Sequence, residues 1–271
     1  MHNFIRSAAA VPVLIFLVTG LICDDLHCAQ RSHADHPIYL ISSGTGYILE
    51  GESSRMIGIW QSGIGFGGRV QLTTNTLLDM MTFLNAECRV ALLKEGSPFP
   101  ALSLSVGYYN LVTSRMITDD IILRTFNDDD IGIDSGLDCM TFSVSVSGKV
   151  DARAGAHLTY QYYRLRGRAE SEEPLEVSTG YGGMGVEFKF DHAADDHSVI
   201  AAMDLYASDR ISLILETGYD FSAGAVRGAG GMRLELLRNL FLDLGLIWPG
   251  TEFEDELDIP VLPYFSIFRR F

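Results

Sequence analysis

Proline and cysteine are scarce in this chain, and basic residues are outnumbered. Eight prolines in 271 residues leave most stretches able to donate every backbone N–H to a β-ladder. The four cysteines, Cys23, Cys28, Cys88 and Cys139, form no CxxC pair and no Cys/His metal spacing. That excludes the thiol-redox and zinc signatures, and cysteines this few and scattered make no disulfide framework. Lys and Arg number 20 against 35 Asp and Glu, a net charge of -15. A nucleic-acid backbone needs a basic partner to displace its counterions, so nucleic acid is excluded as a partner. Simple adhesion to an anionic membrane surface is excluded on the same ground. Disorder pairs high net charge with low hydrophobicity, and here 47% of residues are hydrophobic, so a folded chain is expected.

A long apolar run is also missing. Ser7 to Ile22 is apolar, follows Arg6, and stops at Asp24 and Asp25. It falls short of the roughly 20 apolar residues that a spanning helix needs, and reads as a signal peptide. The small-x-small triplet Ser32-His33-Ala34 is the preferred cleavage site, within a window from Cys23 to Ala34. Residues 1–34 are thus expected to be the leader and 35–271 the mature domain. A lipoprotein signal fits less well, because Ile22 precedes Cys23; an uncleaved anchor is the other alternative.

After the leader, helical periodicity is nearly absent and period-2 alternation recurs, the mark of strands with one apolar and one polar face. Leu102, Leu104, Val106 and Tyr108 oppose Ser103, Ser105 and Gly107. Phe142, Val144 and Val146 oppose Ser143, Ser145, Ser147 and Lys149. Ala156, Leu158, Tyr160 and Tyr162 oppose Gly155, His157, Thr159 and Gln161. Over Gly183 to Phe190, Met184, Val186, Phe188 and Phe190 oppose Gly185, Glu187 and Lys189. Leu240, Leu242, Leu244, Leu246 and Trp248 oppose Phe241, Asp243 and Gly245. Cys88 falls on the apolar side. Most windows run about ten residues, the length of a tilted strand crossing a bilayer. The polar face carries both signs, with Glu87 beside Arg89, Glu187 beside Lys189, and Arg227, Arg233 and Glu235 in one parity. Such a face suits a wet or ion-paired barrel lumen.

Connections alternate in character. Arg238-Asn239, Ser208-Asp209 and Val150-Asp151 read as short turns. Thr113 to Asp138, Arg168 to Glu176 and Thr251 to Asp258 are long and acidic. Short turns at one rim and long loops at the other form the outer-membrane pattern. Links expected around His192 and Ala207 break that alternation. The last strand closes on Phe271, in parity with Phe265 and Ile267, and resembles the C-terminal signal of outer-membrane barrels; Arg269 departs from it.

The segment Asn85 to Gly96, followed by Phe99 to Gly107, is similar to a hairpin in bacterial outer-membrane barrels, including those linked to exopolysaccharide secretion loci. The resemblance covers roughly Trp60 to Tyr109 and, more loosely, the rest of the mature chain. It implies a barrel in the outer membrane and no catalytic residue.

Constellations with chemistry are few. Gly63 to Gly68, Gly180 to Gly185 and Gly228 to Gly231 precede no amphipathic helix, so they read as strand curvature or close backbone approach, not phosphate loops. Asn127 to Asp134 offers oxygens for weak calcium binding but lacks EF-hand spacing, and reads as a solvated loop. His157, His192 and His197 raise the case of a lipid-modifying hydrolase; His197 and Ser198, adjacent on a strand, face opposite ways and do not suit a base and its nucleophile. Tyr108, Tyr109, Tyr160, Tyr162, Tyr163, Tyr181, Tyr206, Tyr219, Trp60 and Trp248 are candidates for interfacial girdles or for core positions.

The expectation is an all-β, antiparallel, up-and-down transmembrane β-barrel of about twelve strands, monomeric, in a Gram-negative-type outer membrane. Its expected role is non-enzymatic, as a structural envelope component or narrow channel. No catalytic, cofactor-binding or metal-binding residue is expected, and no cofactor. Expected partners are outer-membrane lipid, lipopolysaccharide and the barrel-insertion machinery. The alternatives are an envelope lipid hydrolase, marked by a Ser-His-acid triple converging at one rim, and a soluble periplasmic β-sandwich that binds a ligand.

Overall fold

The computed structural model describes residues 37–50, 54–80, 83–96, 99–111, 133–171, 175–179, 182–186, 189–248 and 261–271. Among these, the strands are β1 (Arg55–Gly58), β2 (Ser62–Phe66), β3 (Val70–Thr74), β4 (Phe83–Leu93), β5 (Ala101–Leu111), β6 (Ile133–Lys149) and β7 (Ala154–Ser171). They continue as β8 (Leu175–Thr179), β9 (Gly182–Val186), β10 (Lys189–Ser208), β11 (Ile211–Asp220), β12 (Ala225–Leu237), β13 (Leu240–Trp248) and β14 (Leu262–Arg270). One short helix, α1 (Thr76–Met80), sits between β3 and β4. Twelve strands close a single antiparallel barrel, with β14 returning to pair with β1 through Met56–Arg270 and Gly58–Phe268. Strands β8 and β9 form a separate hairpin in the connection from β7 to β10. The closed sheet leaves no room for the two facing sheets of a β-sandwich.

The alternation read from the sequence is the radial direction of the wall. Residues pointing outward are apolar and bare: Leu84 is 67% exposed, Val106 52% and Leu246 57%. Cys88 shares that outward face. Residues pointing inward are polar and buried, including Ser103, Ser105, Ser145, Ser147, Thr159, Asp204, Arg233 and Asp243. A chain that buries serine and aspartate while exposing leucine has its polarity inverted relative to a protein in water. A continuous apolar belt of this kind needs hydrocarbon against it. No described helix is long and apolar enough to cross a membrane.

The long strands pass beyond that belt. On the outer face of β7, Leu158, Tyr160 and Tyr162 give way to Arg164 and Arg166, and Arg166 makes a bidentate ion pair with Asp191 of β10. Tyr108, Tyr160, Tyr162, Tyr219 and Trp248 point outward near this end, where a girdle belongs. Tyr109, Tyr163 and Tyr206 share the inward parity instead, so the aromatics divide between girdle and lumen.

Connections divide between two rims, and the longest share one rim with the short links 59–61 and 221–224. One rim carries 67–69, 94–100, 150–153, 209–210 and 238–239, all short. Asn239 sits at φ 64 in the two-residue turn between β12 and β13. The other rim carries 59–61, 75–82, 112–132, 172–188, 221–224 and 249–261. Two expectations are corrected here. His192 lies inside β10, not in a link, which restores the alternation of rims. Of the expected strand Gly183 to Phe190, Gly183 to Val186 falls in β9 and Lys189 and Phe190 in β10, with Glu187 and Phe188 outside the described residues. Residues 133–138 belong to β6, and 168–171 to β7, so the acidic connections are shorter than their composition suggests. Asn127 to Asp130, Glu187 and the Thr251 to Asp258 stretch lie outside the described residues.

If the outer face meets lipid, Val106→Arg at mid-strand will destabilise the folded barrel by about 2–4 kcal/mol in vesicles. Val150→Arg, in an exposed short turn, will change stability by under about 0.5 kcal/mol. Urea unfolding followed by tryptophan fluorescence measures both, and equal effects would rule out a lipid-facing Val106.

Candidate functional site

Residues 37–50 are not wall. They run into the lumen from the short-turn rim, turn at Ile41-Ser42-Ser43 and run back toward β1. Tyr39 and Gly44 bridge as an antiparallel pair, the Leu40 N–H donates to Ser43 O at 2.9 Å, and the Thr45 N–H donates to Ile38 O at 3.0 Å. This hairpin-like plug is buried almost throughout, with Leu49 and Thr45 fully inaccessible.

The wall holds the plug mainly by its backbone. At the apex, the Glu216 carboxylate accepts from the Ile41 N–H, from the Ser42 N–H at 3.0 Å, from Ser42 Oγ at 2.6 Å and from Ser43 Oγ at 3.1 Å. Arg233 is held bidentately by Asp243 and donates from Nη2 to Tyr39 O at 2.9 Å. Arg89 donates from Nη1 to Ile38 O at 3.2 Å and from Nη2 to Glu87 at 3.1 Å. Thr159 donates to Gly44 O, Ser103 donates to Thr45 O, and the Leu49 N–H donates to Gln71 Oε1. A strand inserted without a ladder partner leaves its N–H and C=O groups wanting bonds, and the inward side chains supply them. The Tyr39 hydroxyl donates to Thr73 and accepts from Gln71. Burial pushes this phenol up to about 12, so it stays a donor at neutral pH.

Apolar contacts seat both legs. Ile38 and Leu49 pack with Met56, Phe241 and Phe268; Leu40 and Ile41 pack with Ile214. Two glycines make room: a Cβ on Gly231 or on its cross-strand partner Gly245 would meet Ile41 Cδ1 at 2.9 and 3.0 Å. The close-approach reading of the Gly228 to Gly231 cluster holds at Gly231.

A Ser-His-acid triple converges in the lumen. Ser147 Oγ lies 2.8 Å from His157 Nδ1, and His157 Nε2 lies 2.6 Å from Asp204 Oδ1. The Gly46 N–H donates to Ser147 Oγ at 2.6 Å, and the His157 imidazole bridges Ser147 and Asp204 through its two ring nitrogens. The order of the side chains is that of a serine, a base and an orienting acid. Yet all three side chains are buried, with Ser147 1% exposed, and the serine oxygen is engaged by the plug. As folded, the triple is a clamp on Gly46.

His157 was in view from the sequence; Ser147 and Asp204 were not tied to it. All three share the inward parity, which is the only signal available, and the register that joins them appears only in the paired strands. His197 points outward against Tyr160 and Tyr162, while Ser198 points inward to Arg227, so the expected opposition of that pair holds. His192 sits opposite Gly167, away from the triple. Among the described residues no cluster of His, Cys, Asp and Glu could hold a metal.

Between the plug apex and the long-loop rim the lumen keeps a chamber of about 280 Å³, lined by Glu87, Arg89, Tyr109, Gln161, Tyr163 and Tyr264 among others. No protein-family model matches this chain, and no curated protein matches it.

Glu216→Ala removes the acceptor of the apex, at about 1–3 kcal/mol for each donor left dry. Gly46→Val places a Cβ 2.6 Å from Ala101 O and 2.9 Å from Ser147 N, blocking the seat while leaving every wall residue unsubstituted. Both variants are expected to keep the heat-modifiable gel mobility of a closed barrel while residues 37–50 become cleavable by protease. A plug as protected as in the wild type would show that these contacts do not hold it.

Proposed function

We propose that this chain is a non-enzymatic outer-membrane β-barrel whose lumen is closed by its own N-terminal segment, serving the envelope as a structural component. The observation that carries the reading is the bonding of residues 37–50 to the wall by Glu216, Arg233, Arg89, Thr159, Ser103 and Gln71. Of the two expected roles, structural component and narrow channel, this favours the first, because a solute would have to displace a bonded hairpin. The inverted polarity of the wall and the division of connections into short and long rims support the outer-membrane address. Outer-membrane lipid and lipopolysaccharide are the proposed surroundings of the belt, and the barrel-insertion machinery the proposed reader of β14. Closure leaves no free sheet edge, which supports a monomer.

Planar-bilayer recording tests the reading. The full chain is expected to give no steady conductance, and a chain lacking residues 37–50 is expected to conduct. Steady ion current through the full chain would restore the channel.

One observation favours an envelope hydrolase as a second reading: the Ser147, His157 and Asp204 triple. It faces the lumen rather than lipid, and Gly46 occupies its nucleophile. A fluorophosphonate probe separates the two readings. No labelling of Ser147 is expected; adduct at Ser147, absent in His157→Ala, would make the protein an enzyme.

A further inference from the structure

We propose that the chamber above the plug is a binding site for a neutral, polyhydroxylated ligand of monosaccharide size. The floor is the plug apex, and the walls are inward residues of β4 to β7 and β14. At about 280 Å³ the space falls just below the usual range for drug-sized ligands, which sets the size of the occupant.

The lining selects the chemistry. Arg89 is 2% exposed, and its Nε has no partner among the described residues, although both terminal nitrogens are bonded. That Nε is sealed from the chamber, so Arg89 acts on the site through its charge. Arg89 only donates, the Glu87 carboxylate only accepts, and the Gln161 amide and tyrosine hydroxyls do both. Vicinal hydroxyls match such a mixed set because each one both donates and accepts. The 3.1 Å Arg89–Glu87 pair cancels its own charge, so an anion would meet Glu87 and a cation would meet Arg89 without a surplus of the opposite sign. Tyr264, stacked at 6.0 Å on Trp60, and Tyr109 supply flat apolar faces for the C–H face of a sugar ring. The inference concerns the lumen alone and stands apart from the membrane address.

The test uses the full chain folded in a detergent without a sugar headgroup. Glucose and N-acetylglucosamine are titrated by saturation-transfer NMR and calorimetry, with glucuronate and glucosamine as the charged counterparts. Saturable millimolar binding of a neutral sugar is expected. It should weaken at least about tenfold in Thr141→Trp, which fills the chamber, and in Gln161→Leu, which removes one polar contact, with both variants remaining heat-modifiable. Absence of saturable binding by any probe overturns the proposal. So does equal binding by Thr141→Trp, or a preference for either charged sugar.

Discussion

An antiparallel ladder can sit in hydrocarbon only if its first and last strands find each other, because an unpaired edge there has no water to bond. Here β14 meets β1, and the Arg55 N–H and Phe271 O, with the Phe271 N–H and Arg55 O, finish the seam at the rim. Everything else follows from that closure. Once the wall is a cylinder, each strand has one face toward lipid and one toward the lumen, and a period-2 sequence has no third choice. The outward face becomes Leu, Val, Phe and Tyr; the inward face becomes Ser, Thr, Gly and paired charge, with Met56, Ile214, Phe241 and Phe268 where the plug packs.

A cylinder of twelve strands encloses more space than short inward side chains can fill. Ser103, Ser105, Ser145, Ser147, Gly155 and Gly245 leave a wide lumen, and residues 37–50 occupy its lower part. Small inward residues and the plug are therefore one feature seen from two sides. Glycine on the wall admits Ile41, and hydroxyls on the wall bond a backbone that no ladder serves. The charges follow the same logic, since Arg233 is fixed by Asp243 before it reaches Tyr39 O.

The wall was legible in the sequence because lipid and lumen impose opposite chemistries on alternate residues, and Leu102 to Tyr108 or Leu240 to Trp248 record that without ambiguity. Strand ends were less legible. His192 sits in a polar, acid-rich stretch that reads as a link yet extends β10 past the belt. The plug was invisible. Pro37 to Glu50 carries neither alternation nor helical period, and its position is decided by residues as distant in sequence as Glu216. The triple was half visible: His157 stood out by type, but serines recur along β6, and only the register selects Ser147.

The plug also gives the lumen a direction. Chamber and plug lie in series, so the space open to a ligand ends at Ile41, Ser42 and Ser43. Passage would require the apex to leave Glu216, Tyr39 O to leave Arg233, and Gly44 and Thr45 to leave Thr159 and Ser103. Those bonds belong to one short hairpin and must break together, and each buried donor or acceptor so exposed costs about 1–3 kcal/mol until rehydrated. An unfilled half and a bonded half in series make a chamber that ends on the hairpin.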